Sequence, residues 1–307
     1  MINRLLIRIK TTQLVYACLQ SEHPRMTMNE ELLESVEASK KLYNYLLALI
    51  VKVTDYRRAQ IEQARSKYLA TSEDLNPNTR FIDNRIPALI SKCSEVVADC
   101  EKDQIISDFD TDLYRSLLDD IEATPLYQEY MSQPEPPTFQ QERNLWTKIL
   151  NQVFSSSEKL DEALESKNIF WNDDLTTILQ VAVKTVAALT PETELIEAVK
   201  TFRTEEDRKY AQDLLKYALE DYYDNVRLIN AVAPNWESNR MMLMDKVIMS
   251  TAMAEIKHFP EIATAISINE YIELSKHYCS RNSARFINGV LDKIVKEWRD
   301  KKVIIKR

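Results

Sequence analysis

A chain of 307 residues has room for one large or two ordinary domains, and this one carries a single glycine, Gly289, among 48 acidic and 40 basic side chains. One glycine leaves no material for the glycine-rich turn of a nucleotide-binding sheet, for Asn-Gly hairpins or for a GxSxG nucleophile turn, so the composition points to an all-α fold. A formal charge of −8 opposes a uniform approach to nucleic acid, so any RNA site has to be a local patch.

In chain order, residues 2–20 form a helix with Ile2, Leu5, Leu6, Ile9 and Tyr16 near one stripe and Arg4 and Arg8 one turn apart on another. No acidic side chain precedes Glu22, which makes this a basic start. LYNYLLALIVKVTDY supplies the wide apolar face of a second long helix, roughly residues 29–70, and another helix follows Pro87. Between Ser94 and Tyr130 eleven acidic residues face only Lys102 and Arg115, so RNA should avoid that stretch. The run SQPEPPTFQ, residues 132–140, cannot continue a helix and is the linker candidate. Helical patterns resume through WTKILNQVF, DDLTTILQVAVKTVAAL and TEEDRKYAQDLLKYALEDYYDNVRLINAV. The last third contains three clear elements, at 241–259 before Pro260, at 267–278 and at 282–301.

Motifs for chemistry are sparse. Asp108, Asp110 and Asp112 have the first spacings of a calcium loop, but Leu113 stands where glycine is needed and Asp119 where a bidentate glutamate is needed, so an acidic turn or helix start is the better reading. His23, His258 and His277 are too scattered for a metal pair, and Cys18, Cys93, Cys100 and Cys279 fit neither a zinc knuckle nor a redox pair. They read as reduced cytoplasmic thiols. Arg4, Arg8 and Lys10 interrupt the apolar start, so it is no signal peptide, and no stretch is long enough to span a bilayer. The expectation is therefore a cytoplasmic protein without catalytic residues, cofactor or metal.

In the last helix Ile287, Val290 or Leu291, Ile294 and Trp298 repeat at core spacing. Arg285, Phe286, Gly289, Lys293 and Lys296 share the other face, so a bare stretch of backbone is flanked by positive charge and an aromatic ring. A mid-helix glycine costs about 1 kcal/mol relative to alanine. Either a neighbouring helix packed closely on Gly289 or a ligand approaching it offsets that loss.

Here the chain resembles a family. INEYIELSKHY followed by SARFINGVLDKI resembles the C-terminal signature of NusB proteins, and MDKVIMSTAMAEIKHFPEIATAIS is similar to their preceding helix and proline-containing connector. YAQDLLKYALEDYYDNVRLI and, more loosely, RLLIRIKTTQLVYACLQ are similar to earlier helices. The likeness covers roughly residues 205–300 and is strongest from 245 onward. It implies NusB-like helical bundles, with 1–20 as the basic N-terminal helix, 205–307 as the C-terminal core, and 21–204 as an extra helical insertion or extension. It also implies a transcription antitermination factor that binds boxA single-stranded RNA together with the ribosomal protein NusE, within the transcription elongation complex, and supports processive rRNA transcription. By motif, Arg4, Arg8, Lys10, Gln13, Arg285, Phe286, Asn288 and Gly289 are the implied RNA-binding residues, and Asp245, Lys246 and Glu255 the candidates for protein binding. The chemistry agrees in kind. Arginine and lysine neutralise phosphates, Phe286 can stack on an unpaired base, and Gln13 or Asn288 can bond a base edge; Asn288 can equally serve the fold.

The basic start has fewer arginines than is usual in the family, and Cys279 stands where glycine is common. The tail KIVKEWRDKKVIIKR offers further phosphate contacts, or complements the helix dipole. Two other readings remain. One is a helical protein-interaction scaffold with a weak or vestigial RNA site. The other is an RNA methyltransferase, whose cofactor loop would need glycines that the chain lacks.

Overall fold

The computed structural model describes residues 4–20, 27–93, 96, 110–171, 173–196, 199–233, 241–280 and 282–304. Among them lie fourteen α-helices, two short 3-10 turns and no strand, in agreement with the composition. Contacts divide the chain into a unit of Glu37–Lys200 and a unit of Ile2–Val36 with Thr201–Arg307.

Helix α1 is Arg4–Gln20 and α2 is Met28–Arg65, whose first turns belong to the second unit and whose remainder belongs to the first. The first unit continues through α3 (Ser72–Leu75), α4 (Arg85–Ser91), α5 (Thr111–Glu122), α6 (Pro125–Ser132), α7 (Phe139–Gln152), α8 (Glu158–Lys167) and α9 (Leu175–Ala188). Pro87 sits inside the first turn of α4, where its missing N–H has no acceptor to lose, so the helix begins before it rather than after. Thr124, Thr138 and Ser157 each accept from a backbone amide at the start of α6, α7 and α8. The fully buried Trp146 and Trp171 anchor the core, and Trp171 Nε1 donates to the carbonyl of Ala38 at 2.7 Å.

The proline-rich run lies within this unit and is braced there. Arg80 donates to the carbonyls of Gln133 and Glu135 and lies over the Tyr130 ring at 4.7 Å. A donor that long, aimed at carbonyls with no helical partner, turns an expected linker into an ordered strap.

The second unit adds α10 (Glu205–Glu220), α11 (Tyr222–Val232), α12 (Leu243–His258), α13 (Thr264–Tyr278) and α14 (Ser283–Asp300). Helix α12 is the axis. Every residue from Val247 to Ile256 is buried, and α1, α10, α11, α13 and α14 all pack on it. A helix enclosed on all sides buries its polar residues along with its apolar ones, and here Asp245, Ser250, Thr251 and Glu255 go inside with Val247, Ile248, Met249 and Met253. On α14 the expected stripe is realised: Ile287, Val290, Leu291, Ile294 and Trp298 are buried, joined by Val295. Its C-terminus closes with a Schellman turn. The amide of Val303 donates to the Trp298 carbonyl at 2.8 Å and that of Lys302 to Arg299 at 3.1 Å, with Lys302 at φ 55°.

Candidate nucleic-acid interface

The outward face of α14 is where the expected RNA residues meet solvent. Arg285 is exposed and forms no ion pair among the described residues. Gly289 is exposed one turn later, and a Cβ built on it meets nothing within 4 Å. Close packing therefore does not explain the glycine. Its backbone is open to whatever approaches the helix from outside.

Phe286 is half-buried and packs partly on the core beneath. Asn288 is half-buried at a cleft between α13 and α14. Lys293 is spoken for in part, because its ammonium donates to the Val232 carbonyl at 2.9 Å and so caps the C-terminal end of α11.

The basic residues of α1 take a different part. Arg8 is only 4% exposed, and its guanidinium grips the Glu255 carboxylate with Nε at 2.8 Å and Nη2 at 3.0 Å. Ser267, Tyr210 and Tyr271 donate to the same two oxygens, and Arg8 Nη1 reaches Glu270 at 3.3 Å. One carboxylate thus ties α1, α10, α12 and α13 together. Burial pushes the Glu255 carboxyl upward, but the hydrogen bonds and charge of Arg8, with those of Tyr210 and Ser267, outweigh it and hold it below its ordinary value. Burial beside that carboxylate pushes the Tyr210 hydroxyl well up, so it stays a donor. Lys10 is 1% exposed.

Arg8 and Lys10 therefore do not lie at a surface that RNA can reach. Their placement corrects the expectation drawn from the basic start: charge alone cannot tell a phosphate contact from an arginine that neutralises a buried glutamate. Arg4 is half-buried, 3.2 Å from Asp207 and over the Tyr210 ring at 4.7 Å. Gln13 donates to the Tyr278 hydroxyl at 3.0 Å, which brings it to the corner where α13 gives way to α14. Of the two expected clusters, the one on α14 keeps an open face, and the one on α1 is mostly engaged within the fold.

The candidates for protein binding are corrected in the same way. Glu255 is fully buried in the network above, and Asp245 is 6% exposed and accepts from the Met242 amide at the start of α12. Neither presents a carboxylate to a partner. Lys246 is half-buried. Sequence reasoning missed Tyr278, Tyr210 and Asp207, which fix Gln13 and Arg4; only a fold could link residues so far apart in the chain.

Other chemistry stays sparse. Among the described residues no group of histidine, cysteine and carboxylate side chains could hold a metal. Asp110 and Asp112 stand at the start of α5, where Asp110 bonds Lys167 at 3.0 Å; Asp108, Cys100 and His23 lie outside the described residues. His258 stacks on Tyr217 with ring centres 3.8 Å apart and bonds Asp221 at 2.8 Å. Cys18, Cys93 and Cys279 are free thiols, and burial with the neighbouring Asp245 carboxylate pushes the Cys279 thiol well up, which keeps it protonated. No helix among the described residues is long and apolar enough to cross a membrane.

The NusB family model matches residues 175–296. That span takes in α9 of the first unit and runs nearly to the end of α14, so the likeness begins upstream of the region where the quoted signature is readable. A protein of Agathobacter rectalis named "Transcription antitermination protein NusB" is 36% identical over 34% of this chain and 80% of its own length. One of the same name from Symbiobacterium thermophilum is 30% identical over 44% of this chain and 83% of its own length. Another, from Chloroherpeton thalassium, is 42% identical over 24% of this chain, and there the chain spans about a third of the relative, 35%. No solved structure matches the chain.

Proposed function

Because the chain belongs to the NusB family, we propose that it is a transcription antitermination factor that binds boxA-type single-stranded RNA jointly with the ribosomal protein NusE and supports processive rRNA transcription. The observation that carries this reading is the open backbone at Gly289, on the exposed side of α14 and one turn after Arg285, which makes no ion pair among the described residues. Single-stranded RNA is held by cations on its phosphates and by aromatic rings and amides on its bases, and Arg285, Phe286 and Asn288 are that set within one turn of helix.

Arg285, Phe286, Asn288 and Gly289 are the proposed contact residues, with Gln13 and Arg4 on the flank. Arg8 and Lys10 act from inside, by seating α1. Residues 21–204 are the proposed insertion or extension, and the protein works in the cytoplasm without a cofactor. The test is to mix the full chain with NusE, with boxA RNA and with both, and to follow co-elution by size-exclusion chromatography. A ternary complex that elutes as one species is the expected result. Binding to NusE with no RNA bound in any mixture would favour the scaffold reading instead.

A further inference from the structure

In the first unit, the turn that leads into α4 and the proline-rich strap share an open cleft. Thr79, Asp83 and Arg85 line it from the turn, and Pro134, Pro136 and Pro137 from the strap. Arg80 lines it as well, but its Nη1 and Nη2 are committed to the strap, on the carbonyls of Gln133 and Glu135 and on the Gln133 side chain.

Arg85 is held differently. Its Nε donates to Glu142 Oε2 at 2.6 Å, its guanidinium lies over the Phe139 ring at 5.1 Å, and 50% of the side chain is exposed. Glu142 is itself 3% exposed, so the anchor is part of the interior. Arg85 makes no other side-chain hydrogen bond among the described residues, which leaves both Nη groups with donors to spare. A guanidinium fixed at Nε and steadied over a ring has its fork set before a ligand arrives. Asp83, two residues earlier, is exposed, and its carboxylate has no hydrogen bond or ion pair among the described residues, Arg85 included.

The cleft thus offers a fork of donors, a separate carboxylate and the flat faces of proline rings. Its charges cancel, Arg80 and Arg85 against Asp83 and Glu142, so a simple anion gains no net attraction there. A neutral planar group with two acceptors on one edge and donors on the next satisfies both sets. Guanine is such a group: N7 and O6 accept from an arginine fork, and N1–H and the 2-amino group donate to a carboxylate. Adenine carries an amino group where O6 stands and has no N1–H, so it meets the fork with a donor and leaves the carboxylate unpaired.

We infer that this cleft is a guanine-base site, with Arg85 on the N7 and O6 edge, Asp83 on the N1 and 2-amino edge and the proline strap against the face of the ring. The base has two possible sources. One is an unpaired guanine of an RNA strand, and this source rests on the function proposed above. The other is a free guanine nucleotide, which does not.

The test titrates guanosine monophosphate and, in parallel, adenosine monophosphate into the isotope-labelled full chain at constant ionic strength and follows backbone amide resonances. Saturable shifts at Thr79, Asp83 and Arg85 are expected with the guanine nucleotide, and binding about tenfold weaker with the adenine one. Asp83→Asn should weaken the guanine nucleotide by about tenfold and leave thermal stability unchanged, since the carboxylate bonds nothing else among the described residues. Arg85→Lys keeps a charge beside Glu142 but loses the fork, and should weaken it to a similar extent. Absence of a saturable shift in the wild-type chain overturns the site, as does equal affinity for the two nucleotides or an Asp83→Asn protein that binds as the wild type does. Displacement of bound guanosine monophosphate by guanine-containing single-stranded RNA supports the RNA source. Uptake of guanosine monophosphate at unchanged affinity by the RNA-bound protein supports the free nucleotide, and the site stands in both cases. If RNA binding itself fails, the comparison of the two nucleotides still decides the site.

Discussion

Two residues, Gly289 and Glu255, show how differently position and charge translate into role. Gly289 occupies the middle of an exposed helix face with nothing within 4 Å of where a Cβ would stand. Alanine there should raise stability by about 1 kcal/mol, because helical propensity improves and no neighbour has to move. The same substitution adds a methyl group where RNA is proposed to approach, so Gly289→Ala should raise the thermal midpoint and weaken boxA binding together. A variant that gains stability and keeps full affinity would remove Gly289 from the RNA surface. Glu255 is the opposite case, a charged residue that belongs to the interior. Glu255→Ala leaves the buried Arg8 with only its weaker contact to Glu270 and strands the hydroxyls that bonded the carboxylate, and should cost about 3–5 kcal/mol, visible as loss of the cooperative unfolding transition or a steep drop in its midpoint. Its titration gives an independent check. The folded carboxyl is held below its ordinary 4.5, so its contribution is complete above about that pH and is lost as the pH falls further. Glu255→Gln should therefore flatten the acid limb of the stability profile relative to the wild type; an identical acid limb would mean that Arg8 does not favour the ionised form.

At the scale of the element, the sequence was most legible where a helix announces itself by periodicity. The core stripe of α14 needed no partner to be read. Where a glycine would ordinarily end a helix, this chain has none to spare, and Lys302 takes the left-handed conformation at the end of α14 instead. A side chain in that conformation costs about 1 kcal/mol or more. Lys302→Gly should recover much of that, raising the urea midpoint with an unchanged slope; a lower midpoint would show that the Lys302 side chain contributes more than its backbone strain removes. The role of α1 was not legible for the opposite reason. Its arginines and lysine have the same identity whether they face solvent or a buried carboxylate, and Arg8 meets a Glu255 that lies far along the chain. The proline run shows the same limit, since Arg80, which straps it down, lies 53 residues before Gln133.

For the whole molecule, the question is how a chain of net charge −8 would bind a polyanion, as the proposed function requires. Screening limits the answer to short range: at about 0.1 M salt the Debye length is about 10 Å, so acidic residues farther away scarcely act on a phosphate seated at α14. Affinity should then follow the few cations at the contact and not the total charge. The contiguous C-terminal signature made the proposed contact residues legible in the sequence, because they lie within one turn of helix, whereas the core of the first unit depends on pairs such as Trp171 and Ala38, 133 residues apart. For single-stranded RNA each phosphate neutralised contributes about 0.7 to the slope of log affinity against log salt. Arg285→Ala should lower that slope by about this amount and weaken boxA binding in the presence of NusE, while Arg285→Lys should keep most of the slope. The checking measurement is affinity at several salt concentrations for the three proteins. An unchanged slope in Arg285→Ala, with wild-type affinity, would take Arg285 out of the interface and shift the burden of binding to another face of the molecule.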